Sequence, residues 1–327
     1  MKIRAAIIGM GIGQKHFEAI ENYKGSKVKV ICEKNKKKIF FLKKKFPNKI
    51  ITSNENDIFL EKKINLVSIA SYDNHHYRHI LKCIKYNKNI IVEKPMCLNL
   101  NQLKKINNLL KQKKKIKITS NLVLRVNSLF KKFKEKINNK KIYYIEADYL
   151  WGRKNKLFGW RSNVRDYSLI LGAGIHMIDL IVWLTGLKPK TVYALGNNKA
   201  TKGTKFKKNS FVVMIFEFPM NILVKITANG AAVHNHFHEI KIFSKDNTII
   251  NSEFGSYIFK KKKFLKINSS YPDKTGRKKL IRNFLDILNK KNTKPIISLR
   301  EQLNLMSICL SAERSIKLNK KIKINYF

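Results

Sequence analysis

Acidic residues and cysteines are scarce in this sequence, and each scarcity narrows the classes of protein to consider. The 327 residues contain 21 Asp or Glu against 69 Lys or Arg, so the formal net charge is +48 at pH 7. An excess of positive charge is typical of nucleic-acid binders. However, 44% of the residues are hydrophobic. That fraction excludes a disordered polycation, because such a chain has too little apolar surface to bury.

The lysines do not concentrate in one segment. They occur throughout the chain in short runs such as Lys36–Lys38 and Lys260–Lys263, often mixed with Asn and Ile. A bias spread over the whole sequence indicates compositional drift rather than one binding patch. Clustering of lysines on one face of the folded chain would leave the same pattern, so a polyanion-binding surface remains the alternative.

The four cysteines form no Cys-x-x-Cys pair and no zinc-finger spacing, which predicts a reduced, cytoplasmic compartment. One apolar stretch, Leu169–Gly186, is long enough for a membrane-spanning helix, but His176 and Asp179 lie in its middle. A charged group at the centre of a bilayer costs about 3 kcal/mol or more. We therefore interpret this stretch as a buried helix that carries a site, and we expect no membrane partner.

The order of elements changes near residue 121. Before it, short apolar strands alternate with helical patterns, beginning with a strand over Lys2–Ile8 and a helix over Gly11–Ala19, and this alternation predicts a doubly wound parallel sheet. After it, strands such as Phe211–Phe218 and Ile222–Asn229 follow one another without a helix between them. The sequence thus predicts an α/β protein with a Rossmann domain over residues 1–121 and an α+β domain with a largely antiparallel open sheet over residues 122–327.

A glycine-rich turn follows the first strand and opens the first helix. It consists of Gly9, Met10, Gly11, Ile12 and Gly13. Glycines in such a turn let the backbone approach a pyrophosphate, whose charge is met by the helix N-terminus. The third glycine comes one residue earlier than in the usual Gly-x-Gly-x-x-Gly pattern. A tight turn without a ligand is the alternative interpretation.

Glu33 ends the second strand, 20 residues beyond Gly13. An acidic side chain at this place accepts hydrogen bonds from the ribose hydroxyls of NAD and repels the 2′-phosphate of NADP. We therefore predict NAD as the cofactor. NADP is the second choice, because Lys34 and the basic residues that follow it weaken the preference for NAD over NADP.

Lys94 and His176 are the candidate catalytic residues. Lys94 follows Glu93 at the carboxyl end of a parallel strand, where ligands bind, and a desolvated lysine beside a cationic nicotinamide could transfer protons at neutral pH. His176 and Asp179 lie about one helical turn apart, so Asp179 could orient an imidazole that exchanges a proton with a substrate hydroxyl. A surface lysine and a buried core histidine are the alternatives.

Together these motifs resemble the glucose-fructose oxidoreductase/inositol dehydrogenase (Gfo/Idh/MocA) family. The segments that carry the resemblance are, in chain order, Gly9 to His16, Glu33, Ala70-Ser71-Tyr72 with His76, Glu93-Lys94-Pro95, Asn121 to Arg125, Trp160-Arg161, and Gly174 to Asp179. The resemblance implies an N-terminal dinucleotide-binding domain, a C-terminal domain that assembles into a homodimer or homotetramer, and reversible NAD(P)-dependent oxidation of a secondary alcohol. It places Lys94 and His176 on the catalytic lysine and histidine of the family.

The resemblance also extends the set of candidate binding residues. To the cofactor site we assign, besides the glycine turn and Glu33, the residues Ser71, His76, Glu93, Lys94 and Asn121. To the substrate we assign Arg125, Arg161, Tyr167 and Asp179, because arginine forks suit carboxylate or phosphate oxygens and aromatic faces suit sugar rings. His234, His236 and His238 alternate as along one face of a strand and could bind zinc or nickel. The resemblance implies no metal, so we expect these histidines in substrate or subunit contacts.

One departure from the family pattern bears on the substrate. Many members carry an aspartate four residues before the catalytic histidine, where this sequence has Gly172. This difference argues against a plain inositol dehydrogenase and favours a nucleotide-linked or acidic sugar. A cyclitol dehydrogenase, an NAD-dependent glycoside hydrolase of the same fold and, least of all, a non-enzymatic polyanion binder are the alternatives.

Overall fold

The chain forms two compact units. The computed structural model describes residues 2–261, 263–268, 271 and 275–327. The first unit contains the chain up to Leu122 together with Thr275–Leu303, and the second contains the residues between these two segments together with Asn304–Phe327. Residues 275–303 therefore return to the first unit, whereas the sequence suggested a single division of the chain after residue 121.

The described residues of the first unit contain a six-stranded sheet of order β3-β2-β1-β4-β5-β6, in which every neighbouring pair is parallel. Its strands are β1 (Ile3–Ile8), β2 (Ser26–Cys32), β3 (Ile50–Thr52), β4 (Leu66–Ile69), β5 (Asn89–Val92) and β6 (Ile118–Ser120). Its helices are α1 (Gly13–Glu21), α2 (Lys36–Lys45), α3 (Asn56–Phe59), α4 (Asp73–Lys85), α5 (Leu100–Gln112) and, from the later segment, α9 (Gly276–Leu288). All four residues of β4 are buried, as expected for a strand covered on both faces.

Helix α9 belongs to the first unit because its apolar face packs there. Ile281, Phe284, Leu285 and Leu288 join one hydrophobic cluster with residues of α1, β1 and β2. The Tyr23 hydroxyl also donates a hydrogen bond to the Asp286 carboxylate at 2.7 Å. An amphipathic helix is stabilised where its apolar face is covered, and here the cover comes from α1, β1 and β2 near the start of the chain.

The order of the strands places a topological switch point between β1 and β4, which are neighbours in the sheet although β2 and β3 intervene in the chain. In open parallel sheets, ligands bind outside the carboxyl ends of the strands at such a point. The glycine-rich turn follows β1 directly, and Ser71 follows β4.

The second unit is built on a sheet of nine strands among the described residues, in the order β14-β13-β12-β11-β7-β10-β9-β8-β15. Among the strand pairs that the structure describes in this sheet, only β7–β10 is parallel. The strands are β7 (Ile142–Leu150), β8 (Thr191–Asn197), β9 (Phe211–Glu217), β10 (Leu223–Asn229), β11 (Phe237–Ser244), β12 (Thr248–Ser252), β13 (Gly255–Lys260), β14 (Lys263–Lys266) and β15 (Ile322–Lys323). The predicted fold class, a Rossmann domain followed by a largely antiparallel α+β domain, is thereby confirmed.

Four helices and a π-helical turn accompany this sheet in the described part of the chain: α6 (Ser128–Lys136), α7 (Trp160–Asn163), the π turn (Ile170–Gly174), α8 (Ile175–Thr185) and α10 (Leu299–Leu318), whose first residues belong to the first unit. Most of α8 is buried, which explains why its sequence is apolar on nearly all sides. Within the described residues, no helix meets the length and apolarity needed to cross a membrane.

The strand expected through His234, His236 and His238 is wrong. β11 begins at Phe237, so His234 and His236 precede it. His234 instead forms an ion-pair contact of 3.1 Å with Glu253, whereas His236 and His238 have ring centroids 4.9 Å apart.

Candidate functional site

The glycine turn after β1 has three glycines with three different surroundings. Gly9 has a φ of +88°, and a Cβ added to it would lie 2.6 Å from the carbonyl oxygen of Ala70. A Cβ on Gly13 would lie 3.1 Å from Cγ2 of Ile7, so this glycine allows α1 to pack closely on β1. A Cβ on Gly11 would have nothing within 4 Å. Gly9 and Gly13 therefore serve the fold, and Gly11 leaves open space at the turn.

The N-terminus of α1 faces this turn without a side-chain cap. The side chain of its capping residue, Ile12, offers no hydrogen-bond acceptor, and the first turn of the helix contains no acidic residue. Gly11 and Ile12 are exposed. An uncapped helix N-terminus presents free N–H groups and a partial positive charge. A pyrophosphate fits these residues, and it would supply the acceptors that the sequence omits.

Glu33 lies where the ribose contact was predicted, but it also supports the turn. Its carboxylate accepts hydrogen bonds from the backbone N–H of Met10 at 2.9 Å, of Lys34 at 2.8 Å and of Asn35 at 3.0 Å. An ionised carboxylate offers about four acceptor positions, so about one remains for a ribose hydroxyl. The bond to Met10, which sequence reasoning missed, joins the glycine turn to the end of β2.

Glu93 is the centre of a buried network at the end of β5. Its Oε1 accepts hydrogen bonds from Asn121 Nδ2 at 2.6 Å and His16 Nε2 at 3.0 Å, and Arg277 Nε lies 3.4 Å away. The other ring nitrogen of His16 is 2.7 Å from the Ser68 hydroxyl. Burial alone would raise the pKa of Glu93. The hydrogen bond from His16, the charge of Arg277 and the hydrogen bond from Asn121 outweigh burial and hold this pKa well below its usual range.

Two members of this network could not be assigned from the motifs. His16 lies on the buried face of α1 with Gly13, Phe17 and Ile20, a spacing that the sequence does display. Arg277 comes from α9, and nothing in its local sequence indicates that it reaches Glu93. Asn121, a predicted cofactor residue, is 3% exposed, and its Oδ1 accepts no hydrogen bond from the described residues. A buried amide oxygen of this kind is costly unless a ligand or water satisfies it.

His76 ties α4 to the segment that carries Lys94. Its Nδ1 lies 2.7 Å from the carbonyl oxygen of Pro95, and its Nε2 lies 2.9 Å from that of Ser71. The Lys94–Pro95 peptide is cis. Lys94 itself is half-buried directly after the Glu93 network. The predicted cofactor residues Ser71, Glu93 and Lys94 thus follow neighbouring strands of one sheet, and His76 of α4 binds the backbone of both segments.

Behind Ser71 lies a second polar network that the sequence did not reveal. The Ser71 hydroxyl is 3.1 Å from His79 Nδ1, and His79 Nε2 is 2.8 Å from Glu55. Arg78 and Lys82 also bind Glu55, at 3.0 and 2.6 Å. Burial lowers the pKa of His79 to about 4 despite the opposing effect of Glu55. His79 is therefore neutral at pH 7 and is tied to the carboxylate.

In the second unit, His176 belongs to a cluster of rings. His176 lies in the first turn of α8 and stacks on Tyr149 of β7, with centroids 5.8 Å apart and planes 10° apart. His238 meets His176 edge-on at 6.4 Å, and His236 meets Tyr149 edge-on at 5.2 Å. The Tyr271 hydroxyl and Nδ1 of His238 form a hydrogen bond. We call Tyr149, His176, His236 and His238 the His176 cluster.

Burial lowers the pKa of His238 to about 3, and burial together with the charge of Arg153 lowers that of His236 to about 4. Both imidazoles are therefore neutral at pH 7. Burial raises the pKa of Tyr149 to about 12, so its phenol stays protonated. The other three members of the His176 cluster therefore surround His176 with uncharged rings that carry polar atoms.

Arg125 and Asp179, both predicted to bind substrate, are paired with each other. Arg125 Nη2 lies 2.7 Å from Asp179 Oδ1, and Arg125 Nε lies 3.1 and 3.0 Å from Oδ1 and Oδ2. Arg125 is 2% exposed and Asp179 is 1% exposed. The structure therefore places them in a buried ion pair between a 3₁₀ turn (Val123–Val126) and α8, away from solvent.

Arg161 lies among aromatic side chains. Its guanidinium carbon is 5.0 Å from the Trp151 ring centroid, 4.4 Å from that of Trp160 and 6.0 Å from that of Tyr167. Trp151 in turn contacts Tyr149 at 6.4 Å, so Arg161 is continuous with the His176 cluster. Arg161 is partly exposed, whereas Tyr167 is buried. The structure thus brings Arg161, Tyr167 and His176 into one region of the second unit.

Comparisons with known proteins agree with these two units. Residues 3–121 match the family model described as an oxidoreductase family with an NAD-binding Rossmann fold, and residues 131–250 match the model of the GFO/IDH/MocA C-terminal domain. A candidate oxidoreductase of Bacillus subtilis (strain 168), YteT, is 26% identical over 186 residues, which are 51% of this chain. The chain covers 41% of that relative's length.

Solved structures show the same fold at low identity. A myo-inositol 2-dehydrogenase from Lactobacillus plantarum has a TM-score of 0.84 at 18% identity, covering 99% of this chain and 100% of that one. The UDP-N-acetylglucosamine 3-dehydrogenase GnnA from Acidithiobacillus ferrooxidans has a TM-score of 0.79 at 16% identity, covering 97% of this chain and 99% of that one.

The two family models together span more than half of the chain and fall on the two predicted domains in the expected order. They confirm the resemblance, the oxidoreductase class and NAD as the cofactor of the first domain. The chain belongs to the GFO/IDH/MocA oxidoreductase family.

Proposed function

We propose that this protein uses NAD to oxidise a secondary hydroxyl of a nucleotide-linked or acidic sugar to a ketone, reversibly, as a cytoplasmic homo-oligomer. The observation that carries the sugar assignment is the region of the second unit around His176. It combines flat aromatic faces, which suit sugar rings, with the partly exposed guanidinium of Arg161, which suits an anionic group.

The charges in this region favour an anionic substrate over a neutral cyclitol. The carboxylate of Asp179 is already neutralised by Arg125, and position 172 carries no side chain. The positive charges of Arg153 and Arg161 both act to lower the pKa of the Tyr149 phenol, against the larger effect of its burial. An anion bound here can therefore pair with guanidinium groups, because neither position 172 nor Asp179 presents an unpaired carboxylate that would repel it.

The first unit fits NAD by its own residues. The open space at Gly11 and the uncapped start of α1 suit the pyrophosphate, and Glu33 retains an acceptor for a ribose hydroxyl. The orphaned Oδ1 of Asn121 offers a further acceptor at the end of β6. When bound, NAD supplies the hydride acceptor for the reaction.

The protein's own residues then account for the proton. Oxidation of a secondary alcohol removes a hydride from carbon and a proton from oxygen. We assign proton transfer to Lys94 Nζ of the first unit and to the His176 imidazole of the second, because each group can exchange a proton with a substrate hydroxyl. In the reverse direction, the same ammonium group returns the proton to the carbonyl oxygen.

The proposal is tested by incubating the purified protein with NAD and a panel of nucleotide sugars, acidic sugars, free sugars and inositols while following NADH absorbance. NADH formation with an anionic sugar supports it. A response confined to inositols would make the protein a cyclitol dehydrogenase. Release of free sugar from glycosides without net NADH would make it a glycoside hydrolase. Salt-sensitive nucleic-acid binding without cofactor uptake would show a polyanion binder instead.

Lys94 can be tested separately from cofactor binding. Lys94→Ala should reduce kcat by at least about 100-fold, the lower end of what a general acid or base contributes, while NAD binding stays near normal. The matched control is Lys104→Ala, because Lys104 is an exposed lysine of α5 in the same unit. Retained turnover in Lys94→Ala would remove Lys94 from the mechanism.

A further inference from the structure

The place of a side chain at position 172 is filled by another residue. A Cβ built on Gly172 would lie 2.3 Å from the hydroxyl oxygen of Tyr167, 2.9 Å from its Cζ and 3.2 Å from its Cε2. Non-bonded heavy atoms pack best at roughly 3.5–4.0 Å. The present position of Tyr167 and any side chain at position 172 therefore exclude each other.

Gly172 lies on the helical segment that leads to His176. The π turn Ile170–Gly174 contains Gly172, whose N–H donates a hydrogen bond to the Ser168 carbonyl oxygen at 2.8 Å, and α8 follows without a break. The Tyr167 hydroxyl thus meets this helical segment at Gly172, four residues before His176. Single π turns occur frequently at functional sites.

The phenol ring of Tyr167 is held on several sides. Its centroid lies 5.8 Å from that of Phe206 and 6.0 Å from that of Trp160, both edge-on, and the Arg161 guanidinium carbon lies 6.0 Å from it. Tyr167 is only 4% exposed. A ring fixed by such contacts cannot turn aside to admit a side chain at position 172 without losing them. The hydroxyl is therefore preorganised against the backbone of the π turn.

We propose that Tyr167 and Gly172 form a matched pair in which Tyr167 is a positioning residue for His176: the phenol wedges against the π turn and so sets the direction from which the imidazole meets the substrate. This role rests on the proposed function, in which His176 handles a proton. In this pair the Tyr167 hydroxyl occupies the space that a side chain at position 172 would take.

The first test needs no substrate. Histidine side chains of the full chain are labelled, and the His176 imidazole is assigned by comparison with His176→Asn and followed by NMR over pH. Tyr167→Phe removes only the hydroxyl that contacts the π turn. If this contact positions the imidazole, its loss should move the pH of His176 titration by at least about 0.5 unit. Tyr143→Phe, which alters an exposed tyrosine of β7, should leave the titration unchanged. An unchanged titration in Tyr167→Phe would overturn the proposal even if the protein proves to be a sugar dehydrogenase.

The second test uses the substrate found with the panel. Gly172→Ala should lower kcat about 10-fold or more, because overpacking of this size disturbs a packed site, with the KM for NAD unchanged. Adding Tyr167→Leu to Gly172→Ala removes the clashing phenol atoms and should recover several-fold of the lost kcat. A double variant no better than Gly172→Ala would overturn the matched pair. Thermal melting and NAD binding of each variant show that the chain is folded.

Discussion

Removing one partner of the buried Arg125–Asp179 pair should destabilise the second unit far more than removing both. Asp179→Leu leaves the Arg125 guanidinium without the carboxylate oxygens that it now meets at 2.7 to 3.1 Å. Arg125→Met leaves the carboxylate without those donors. Both side chains are nearly inaccessible to solvent, so water cannot replace the lost partner.

The magnitude follows from burial. Breaking a buried ion pair by removing one partner costs roughly 3–5 kcal/mol, because an uncompensated charge stays in the interior, whereas replacing both partners by apolar residues is often nearly neutral. We therefore expect each single variant to lose about 3–5 kcal/mol of unfolding free energy, and Arg125→Met/Asp179→Leu to lose less than either. The interaction energy between the two sites should be of the same order as a single loss.

Urea unfolding followed by tryptophan fluorescence measures this loss in the right part of the chain. The sequence has 3 tryptophans, Trp151, Trp160 and Trp183, and all of them lie in the second unit. The signal therefore reports that unit without a contribution from the first. Additive losses, or single variants within about 1 kcal/mol of the unchanged protein, as for an exposed pair, would refute the interpretation of this pair as structural.

Three further outcomes are expected. Gly9→Ala should unfold or severely destabilise the first unit, because its Cβ would overlap a backbone carbonyl at a φ of +88°, whereas Gly11→Ala should melt normally and bind NAD at least about 10-fold more weakly; equal melting of both variants would contradict this distinction. Glu33→Ala should lower the ratio of NAD to NADP affinity measured by calorimetry and should also lower the melting temperature, because three backbone N–H groups lose their acceptor; an unchanged ratio would exclude the ribose contact. The pKa values of His236 and His238 in the folded chain lie below 6.5, so the unfolded chain takes up these protons first as the pH falls. The contribution of these histidines to the free energy of unfolding is therefore fully present above pH 6.5 and is lost between pH 6.5 and about 3. At about 1.4 kcal/mol per pKa unit, the fall should reach a few kcal/mol in urea titrations by tryptophan fluorescence, and replacing both histidines by glutamine should flatten it.

Much of the first unit could be predicted because its signals are local. Strand, glycine turn and helix follow one another within the first 21 residues, and the positions of Glu33 and of the strand end before Lys94 follow from the alternation of elements. The short edge strand β3 and the helix α9 were missed. β3 has only 3 residues, too few for a hydrophobic period, and α9 joins the first unit through contacts with residues far away in the sequence.

The second unit shows where local patterns mislead. Arg125, Tyr167 and Asp179 have the side chains expected of a substrate site, yet the structure buries all three. The type of a residue indicates what it can bind, but whether it meets a ligand or a neighbour depends on what packs against it. The three histidines show the same difficulty, since an alternating spacing is compatible with a strand and with the turn that precedes one.

The sequence by itself determined the class of this protein: the alternation of elements, the glycine turn with Glu33, and the residues from Glu93 to Pro95 depend on neighbours in the chain and can be recognised without a fold. The tertiary structure alone decided how the charged and aromatic side chains are used. It pairs Arg125 with Asp179, brings Arg277 to Glu93, and fills the place of a side chain at position 172 with Tyr167. Each of these contacts joins segments whose proximity depends on packing, which no local pattern encodes.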